Sequence, residues 1–310
     1  MVDLKIIIPE GFLEEEERCG HFISKQMKEV WAIQLDLLAE FDRICKKNKL
    51  KYFASGGTAL GAIRHKGFIP WDDDMDLMMM RDDYDKLLEI APQEFNAPYF
   101  LQNKYNDPCG NETISKFRNI NTTALLDNEV GSCFDYCKGV FIDIFPLDVI
   151  PDNQAERDTY FAELKEQKER FYKKGRSLGI YSDSTEKKER IVKHFLYKVL
   201  SFKRKRHVHE YKDEYRKYVS MCRRYNHQPS ERLMCLEFTF DQNDYKCTAD
   251  LQDVLYVDFE FTKIPIGANY HHGLITKYGE DYMVFKKGAA MHNELFFDTN
   301  KSYKHYISKL

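Results

Sequence analysis

The chain has 310 residues, with 47 Lys and Arg against 50 Asp and Glu and 43% hydrophobic residues, enough for about two domains with a sizeable core. A formal charge of −3 argues against a chain built to coat nucleic acid, and 31% charged with 14% aromatic residues excludes a disordered composition. No apolar run approaches the roughly 18 residues that span a bilayer, and Leu4–Ile8 is too short for a signal-peptide core, so neither insertion nor secretion is expected.

Met27, Val30, Trp31, Leu37, Leu38, Phe41, Ile44 and Cys45 recur at three- and four-residue spacing, which predicts an amphipathic helix over Ser24–Lys47. Lys51–Ala54 reads as a short strand, Gly56-Gly57 as a turn, and Thr58–Arg64 as a helix starting directly after the glycines. An extended loop, 67–71, leads to Asp72-Asp73-Asp74-Met75-Asp76, whose apolar continuation Leu77–Met80 predicts a buried strand. Arg81-Asp82-Asp83-Tyr84 then opens a helix through Leu87, Leu88 and Ile90, which Pro92 is expected to stop. Val140–Phe145 predicts a further strand before Pro146. Residues 20–150 thus form a mixed unit of helices and strands.

From 151 to 230 the pattern turns helical and rich in charge, predicting two or three long helices inserted before a mixed region at 231–310. Within it, Lys187–Arg206 carries nine basic residues against the single acid Glu189, beside an apolar stripe of Ile191, Val192, Phe195, Leu196, Val199 and Leu200. A surface helix packed through that stripe is the simplest account; contact with an anionic membrane surface or acceptor is the other. The cysteines Cys19, Cys45, Cys109, Cys133, Cys137, Cys222, Cys235 and Cys247 form no CxxC pair and read as reduced thiols, with a metal at Cys109, Cys133 and Cys137 as the weaker option.

Seven aspartates fall between Asp72 and Asp85, with Arg81 the one base among them. Asp74 and Asp76 bracket Met75 at the mouth of a buried strand, and i, i+2 residues of a strand share a face. Two carboxylates so placed need a cation to offset their repulsion. Oxygen-only ligands suit Mg²⁺ or Mn²⁺, and Asp143 in the second strand offers a third carboxylate. An Asp-x-Asp pair beside a strand aspartate is the platform of polymerase-type phosphoryl transfer with two metal ions. Gly56 and Gly57 before a helix let backbone N–H groups approach a phosphate.

The run Gly56–Asp76, GGTALGAIRHKGFIPWDDDMD, closely resembles the signature of the LicD family, which includes phosphocholine transferases and is related to fukutin and fukutin-related protein. Lys116–Thr122, Gly139–Asp148, Ile264–Gly267 and Tyr278–Met283 resemble further motifs of that family, whereas Val284–Lys287 and His292 depart from it. The resemblance implies an α+β fold with a polymerase-β-like nucleotidyltransferase core, a mixed sheet and a long helical insertion. It implies a CDP-linked donor, typically CDP-choline, whose phosphocholine passes to a sugar hydroxyl of a cell-surface glycan, such as lipopolysaccharide or teichoic acid, or its lipid-linked precursor, with release of CMP.

On that reading Asp74, Asp76 and Asp143 are catalytic and, with Asp72, hold the metal. Gly56, Gly57 and Thr58 contact the diphosphate, and Arg64, Lys116 and Arg118 neutralise its charge. Arg64 paired with the acidic cluster, His65 as a surface residue and Asp143 as general base are the alternatives. A choline headgroup would be held on aromatic faces, with Trp71 the named candidate. A cytoplasmic protein, peripheral at the inner membrane face through 187–206, is expected. The competing functions are nucleotidyl transfer to a small hydroxylated molecule and an inactive module that binds nucleotide-like ligands.

Overall fold

The computed structural model describes residues 1–108, 113–125, 136–178, 201–241, 244–286 and 296–307, with only the backbone of 201–207. In chain order its elements are β1 (Glu16–Arg18), β2 (His21–Ile23), α1 (Lys25–Asn48), β3 (Phe53–Ala54), α2 (Gly56–Arg64), β4 (Asp76–Met80), α3 (Arg81–Glu94), β5 (Tyr99–Gln102), β6 (Ser115–Asn119), β7 (Thr123–Leu125) and β8 (Phe141–Ile150). There follow α4 (Gln154–Ser177), α5 (Ser201–Cys222), β9 (Arg232–Met234), β10 (Lys246–Cys247), a 3₁₀ turn (Thr248–Leu251), β11 (Val254–Phe259), β12 (Thr262–Gly267), α6 (Tyr270–Tyr278), β13 (Phe296–Asp298) and α7 (Lys304–Ile307). The chain is mixed α/β around a mixed sheet.

Seven strands make that sheet, in the order β10-β9-β8-β4-β3, with β6 on β8 and β5 on β6. β4 and β8 run parallel, with Asp76 opposite Asp143, while β6 runs antiparallel to β8 with Lys116 opposite the same Asp143. Alternation then sorts the sheet into two faces. Leu77, Met79, Phe117, Ile142 and Ile144 join Trp31, Leu37, Leu38, Phe41 and Ile44 of α1 in the main core. Asp76, Met78, Lys116, Asp143, Phe145 and Leu147 line a cleft on the other face.

α1 is capped by Ser24, whose hydroxyl accepts the Met27 N–H, and its tip turns at Lys49 with φ 58°. It also holds the acidic loop. Trp31 Nε1 donates to Asp72 O at 3.0 Å, and Gln34 Nε2 donates to Asp73 O at 2.9 Å. α4 and α5 pack together on a second, aromatic core of Tyr160, Phe161, Phe171, Tyr211, Tyr215 and Tyr218. The basic segment joins them, but 187–200 lie outside the described residues and 201–206 form the first turns of α5. No helix among the described residues is long and apolar enough to cross a membrane.

Besides β3, which starts at Phe53 and not at Lys51, three boundaries differ from the sequence expectation. α2 begins at Gly56, so the glycines form its first turn instead of preceding it. α3 runs past Pro92 to Glu94, because a proline this close to the end costs the helix little more than one bond. β8 runs through Pro146 to Ile150. Asp143 donates its N–H to Met75 O on the β4 side, so strand alternation aims the Pro146 nitrogen at the opposite edge, between the stretches paired with β6 and β9, where no ladder bond is lost.

Candidate functional site

A cleft of about 590 Å³ opens between the sheet, α2 and the segment 244–286. Its floor is a row across three strands: Asp76 of β4, Asp143 of β8 and Lys116 of β6. Lys116 Nζ donates to Asp143 Oδ1 at 2.6 Å and lies 3.8 Å from the centre of the Phe141 ring. Asp72 and Asp74 line the same cleft, while Asp73 alternates away and is buried.

Burial pushes the Asp76 carboxyl well above its ordinary range, and Asp74 and Asp143 push it further, with Lys116 and Lys277 opposing. The carboxylates therefore crowd one another as the Asp-x-Asp spacing predicts. Their chemistry suits a hard divalent cation, which relieves that stress, and Asp76 and Asp143 are the facing pair that would hold it. Among the described residues, no three carboxylates bring oxygens within 4.8 Å of one another; the trio of donors that does converge there is Cys247, Asp250 and His272, beside the cleft. In that trio Asp250 is buried and already accepts from Asn269 Nδ2 at 2.7 Å, with His272 Nδ1 2.8 Å away.

α2 starts against the carboxylates. Gly56 has φ +52°, and a Cβ there would stand 3.1 Å from Asp76 Oδ2; one on Gly57 would stand 2.7 Å from Asp72 Oδ2. Only glycine lets the helix N-terminus come this close. Ser55 makes no side-chain cap bond, and the N-terminal end of α2 faces the cleft, the arrangement in which a helix receives a phosphate.

Thr58, expected on the diphosphate, is instead buried, and its Oγ1 accepts the Asp76 N–H at 2.8 Å: it positions the carboxylate from behind. Arg118 is corrected outright. It shares a face with Lys116, but one strand step further along it is 1% exposed, its Nε on Gln102 Oε1 at 2.5 Å and Nη1 on Gly139 O at 2.7 Å. It braces the sheet and does not reach the cleft.

Arg64 lines the cleft wall, donating from Nε to His65 Nε2 at 2.9 Å and from Nη1 to Tyr282 O at 3.1 Å. Burial lowers its pKa. Burial, then Arg64 and Arg18, push His65 down to about 4. Trp71 lines the cleft too, edge-on to Phe285 at 5.6 Å, and Tyr278, Tyr282, Phe145 and Phe238 add aromatic surface.

Sequence reasoning did not single out Asp244, Lys246, Lys277 or Lys286, all lining the cleft. They lie at least a hundred residues from the aspartates in the chain, on a two-residue strand, a helix end and loops, where no periodicity marks a site. Of the other expected features, Cys109, Cys133 and His292 lie outside the described residues, while Cys137 is buried.

Residues 49–175 match the family model described as LicD/FKTN/FKRP, nucleotidyltransferase domain. That span holds the aspartate row, both glycines and Lys116, and ends before the wall formed by 244–286. The lipopolysaccharide cholinephosphotransferase LicD of Haemophilus influenzae is 26% identical over 269 residues, which cover 83% of this chain and 91% of that protein. An uncharacterised protein of Rickettsia typhi is 37% identical over 82 residues, 26% of each chain. Another, of Rickettsia prowazekii, is 44% identical over 57 residues, 18% of this chain and 21% of its own.

Proposed function

The chain belongs to the LicD family, and from that premise we propose that it transfers phosphocholine, or a similar phospho-alcohol, from a CDP-linked donor to a sugar hydroxyl of a cell-surface glycan or its lipid-linked precursor, releasing CMP. One observation carries the reading: the Asp76–Asp143–Lys116 row lies under the glycine-started end of α2 in a cleft of nucleotide size, about 590 Å³. The relative named for cholinephosphate transfer to lipopolysaccharide supports the donor group and the acceptor class. A polymerase-β-like core and a peripheral place at the cytoplasmic membrane face belong to the same proposal.

In the reaction the acceptor oxygen forms a bond to the choline-bearing phosphorus, the bond from that phosphorus to the bridging oxygen breaks, and its electron pair leaves with CMP. Asp143, oriented by Lys116, takes the acceptor proton. Mg²⁺ or Mn²⁺, two ions in the full platform, held by Asp74, Asp76 and Asp143 with Asp72 beside them, would neutralise the diphosphate oxygens. Gly56 and Gly57 bring backbone N–H groups to the diphosphate, and Arg64 shields the wall. The quaternary ammonium meets aromatic faces, with Trp71, Tyr278 and Tyr282 the candidates.

Turnover of a panel of CDP-choline, CDP-ethanolamine, CDP-glycerol and CDP-ribitol, read by CMP release with Mg²⁺ present, tests this. Release from one or more of them, with label from the alcohol phosphate found on the acceptor, is expected. Nucleotide on the product with pyrophosphate released would establish nucleotidyl transfer instead, and no metal-dependent turnover of any donor would leave a binding module.

A further inference from the structure

Two lysines beyond the matched domain converge in the cleft on one carboxylate. Lys246 of β10 and Lys277 in the last turn of α6 place their Nζ atoms 3.1 Å and 3.0 Å from the same oxygen, Oδ1 of Asp244. Their side chains are 19% and 37% exposed, so the pair is partly desolvated yet reachable from the cleft. One carboxylate between two ammoniums leaves a positive excess. Burial, and then Lys277 beside it, push Lys246 below the ordinary lysine range, while Asp244 is held low by the two lysines against its own burial.

The pair faces the aspartates. Lys277 offsets charge on Asp76, and Tyr278, next in the chain, is raised by burial and then by Asp76, Asp72 and Asp244. The wall is anchored because Leu274 and Tyr282 pack against Leu60 and Ile69, tying α6 to α2, the helix whose first turn meets the carboxylates. A floor of crowded carboxylates and an ammonium pair thus lie in one cleft, the two kinds of surface that a metal-bound ligand with two adjacent phosphates requires.

We infer that Lys246 and Lys277, clamped on Asp244, form an anion site for the phosphate that leaves with the nucleotide. This rests on the transfer reading for the identity of the anion, not for its charge. Two compact ammoniums hold a phosphate as point charges, and charge-assisted bonds of this kind strengthen as charge builds on the departing oxygen. The aspartate floor then serves the transferred phosphorus, and the lysine wall the leaving one.

The probe is inorganic pyrophosphate, titrated calorimetrically into the full chain at fixed Mg²⁺. Lys277→Met, on the more exposed of the two side chains, should weaken binding by about tenfold or more, the scale of one charge-assisted hydrogen bond. Lys246→Met should do the same, Lys277→Arg should recover most of the loss, and Lys263→Met, on an exposed lysine paired with Asp258 outside the cleft, should change affinity less than about threefold. Wild type and Lys277→Met binding equally, or wild type not binding pyrophosphate, overturns the site. With a CDP-alcohol, the lysine variants should lower kcat more than they raise KM. If wild type turns over no CDP-alcohol, the transfer reading fails, and the pyrophosphate titration still decides the anion site.

Discussion

Strand β8 carries two aspartates five residues apart, and they lead opposite lives. Asp143 faces the cleft, crowded by Asp76 with Lys116 beside it. Asp148, at odd spacing and hence on the other face, is 0% exposed and held by three bonds: Arg81 Nε to Oδ1 at 2.9 Å, Arg81 Nη2 to Oδ2 at 2.6 Å and Asn226 Nδ2 to Oδ1 at 2.8 Å. Arg81 also donates to Glu237 Oε1 at 2.8 Å, and Glu237 takes the Tyr215 hydroxyl of α5 on Oε2 at 2.6 Å. Burial alone would lower the Arg81 pKa, yet Asp148 and Glu237 hold it well above the usual range. The lesson is that a buried acid is structural when donors close around it, and poised for chemistry when other acids do.

That contrast can be broken first at the cleft. Asp76→Asn and Asp143→Asn should each cut CMP release from the active CDP-alcohol by more than about 100-fold. Urea unfolding should show no loss of stability for Asp76→Asn, since repulsion is removed with the charge, and a loss for Asp143→Asn, which leaves the buried Lys116 ammonium without its carboxylate. A stability loss at Asp76→Asn matching its activity loss would make that end of the row structural after all. At the hub the signs reverse. Arg81→Met or Asp148→Ala should cost about 3–5 kcal/mol in urea unfolding, because the remaining charge is left buried without its partner, with turnover per folded molecule little changed.

Smaller effects sharpen the boundary between the two. Thr58→Val leaves the Asp76 N–H without its acceptor, so about 1–3 kcal/mol of stability should go together with a fall in kcat. Gly57→Ala, whose methyl would meet Asp72 Oδ2, should lower turnover, whereas Gly61→Ala, whose methyl would stand 2.5 Å from Gly67 O, should mainly lower Tm. The smallest effect is pH-dependent. His65 is pushed down to about 4, so the unfolded chain binds its proton first, and the stability this histidine contributes above pH 6.5 is lost as pH falls from there toward 4. His65→Gln should flatten that part of the Tm-against-pH curve.

Much of this was legible in the residues. An Asp-x-Asp at the start of Leu77–Met80 has little reason to exist without a charged task, and alternation alone places Asp143 beside it once β4 and β8 pair. Arg118 shows the limit of the same rule. Face is set by parity, but exposure depends on what caps the strand end, here Gln102 and Gly139 from other segments. Asp148 falls past Pro146, outside the strand that the residues predict, and only the arrival of Arg81 and Asn226, with Glu237 beside them, shows it to be a buried structural acid. Lys246 and Lys277 were illegible for a plainer reason: they meet through tertiary folding, with no local pattern to announce it.

The chain holds two tryptophans, and both sit at the acidic loop. Trp31 stacks on Phe68 with ring centroids 4.7 Å apart and holds Asp72 O from beneath, whereas Trp71 lines the cleft next to Asp72. All indole emission from this protein therefore originates within one loop of the carboxylates. Ligand entry, displacement of the Asp72 loop and melting of α1 beneath it should each change intrinsic fluorescence without any attached dye, and Trp31→Phe leaves Trp71 as a single optical reporter in the cleft.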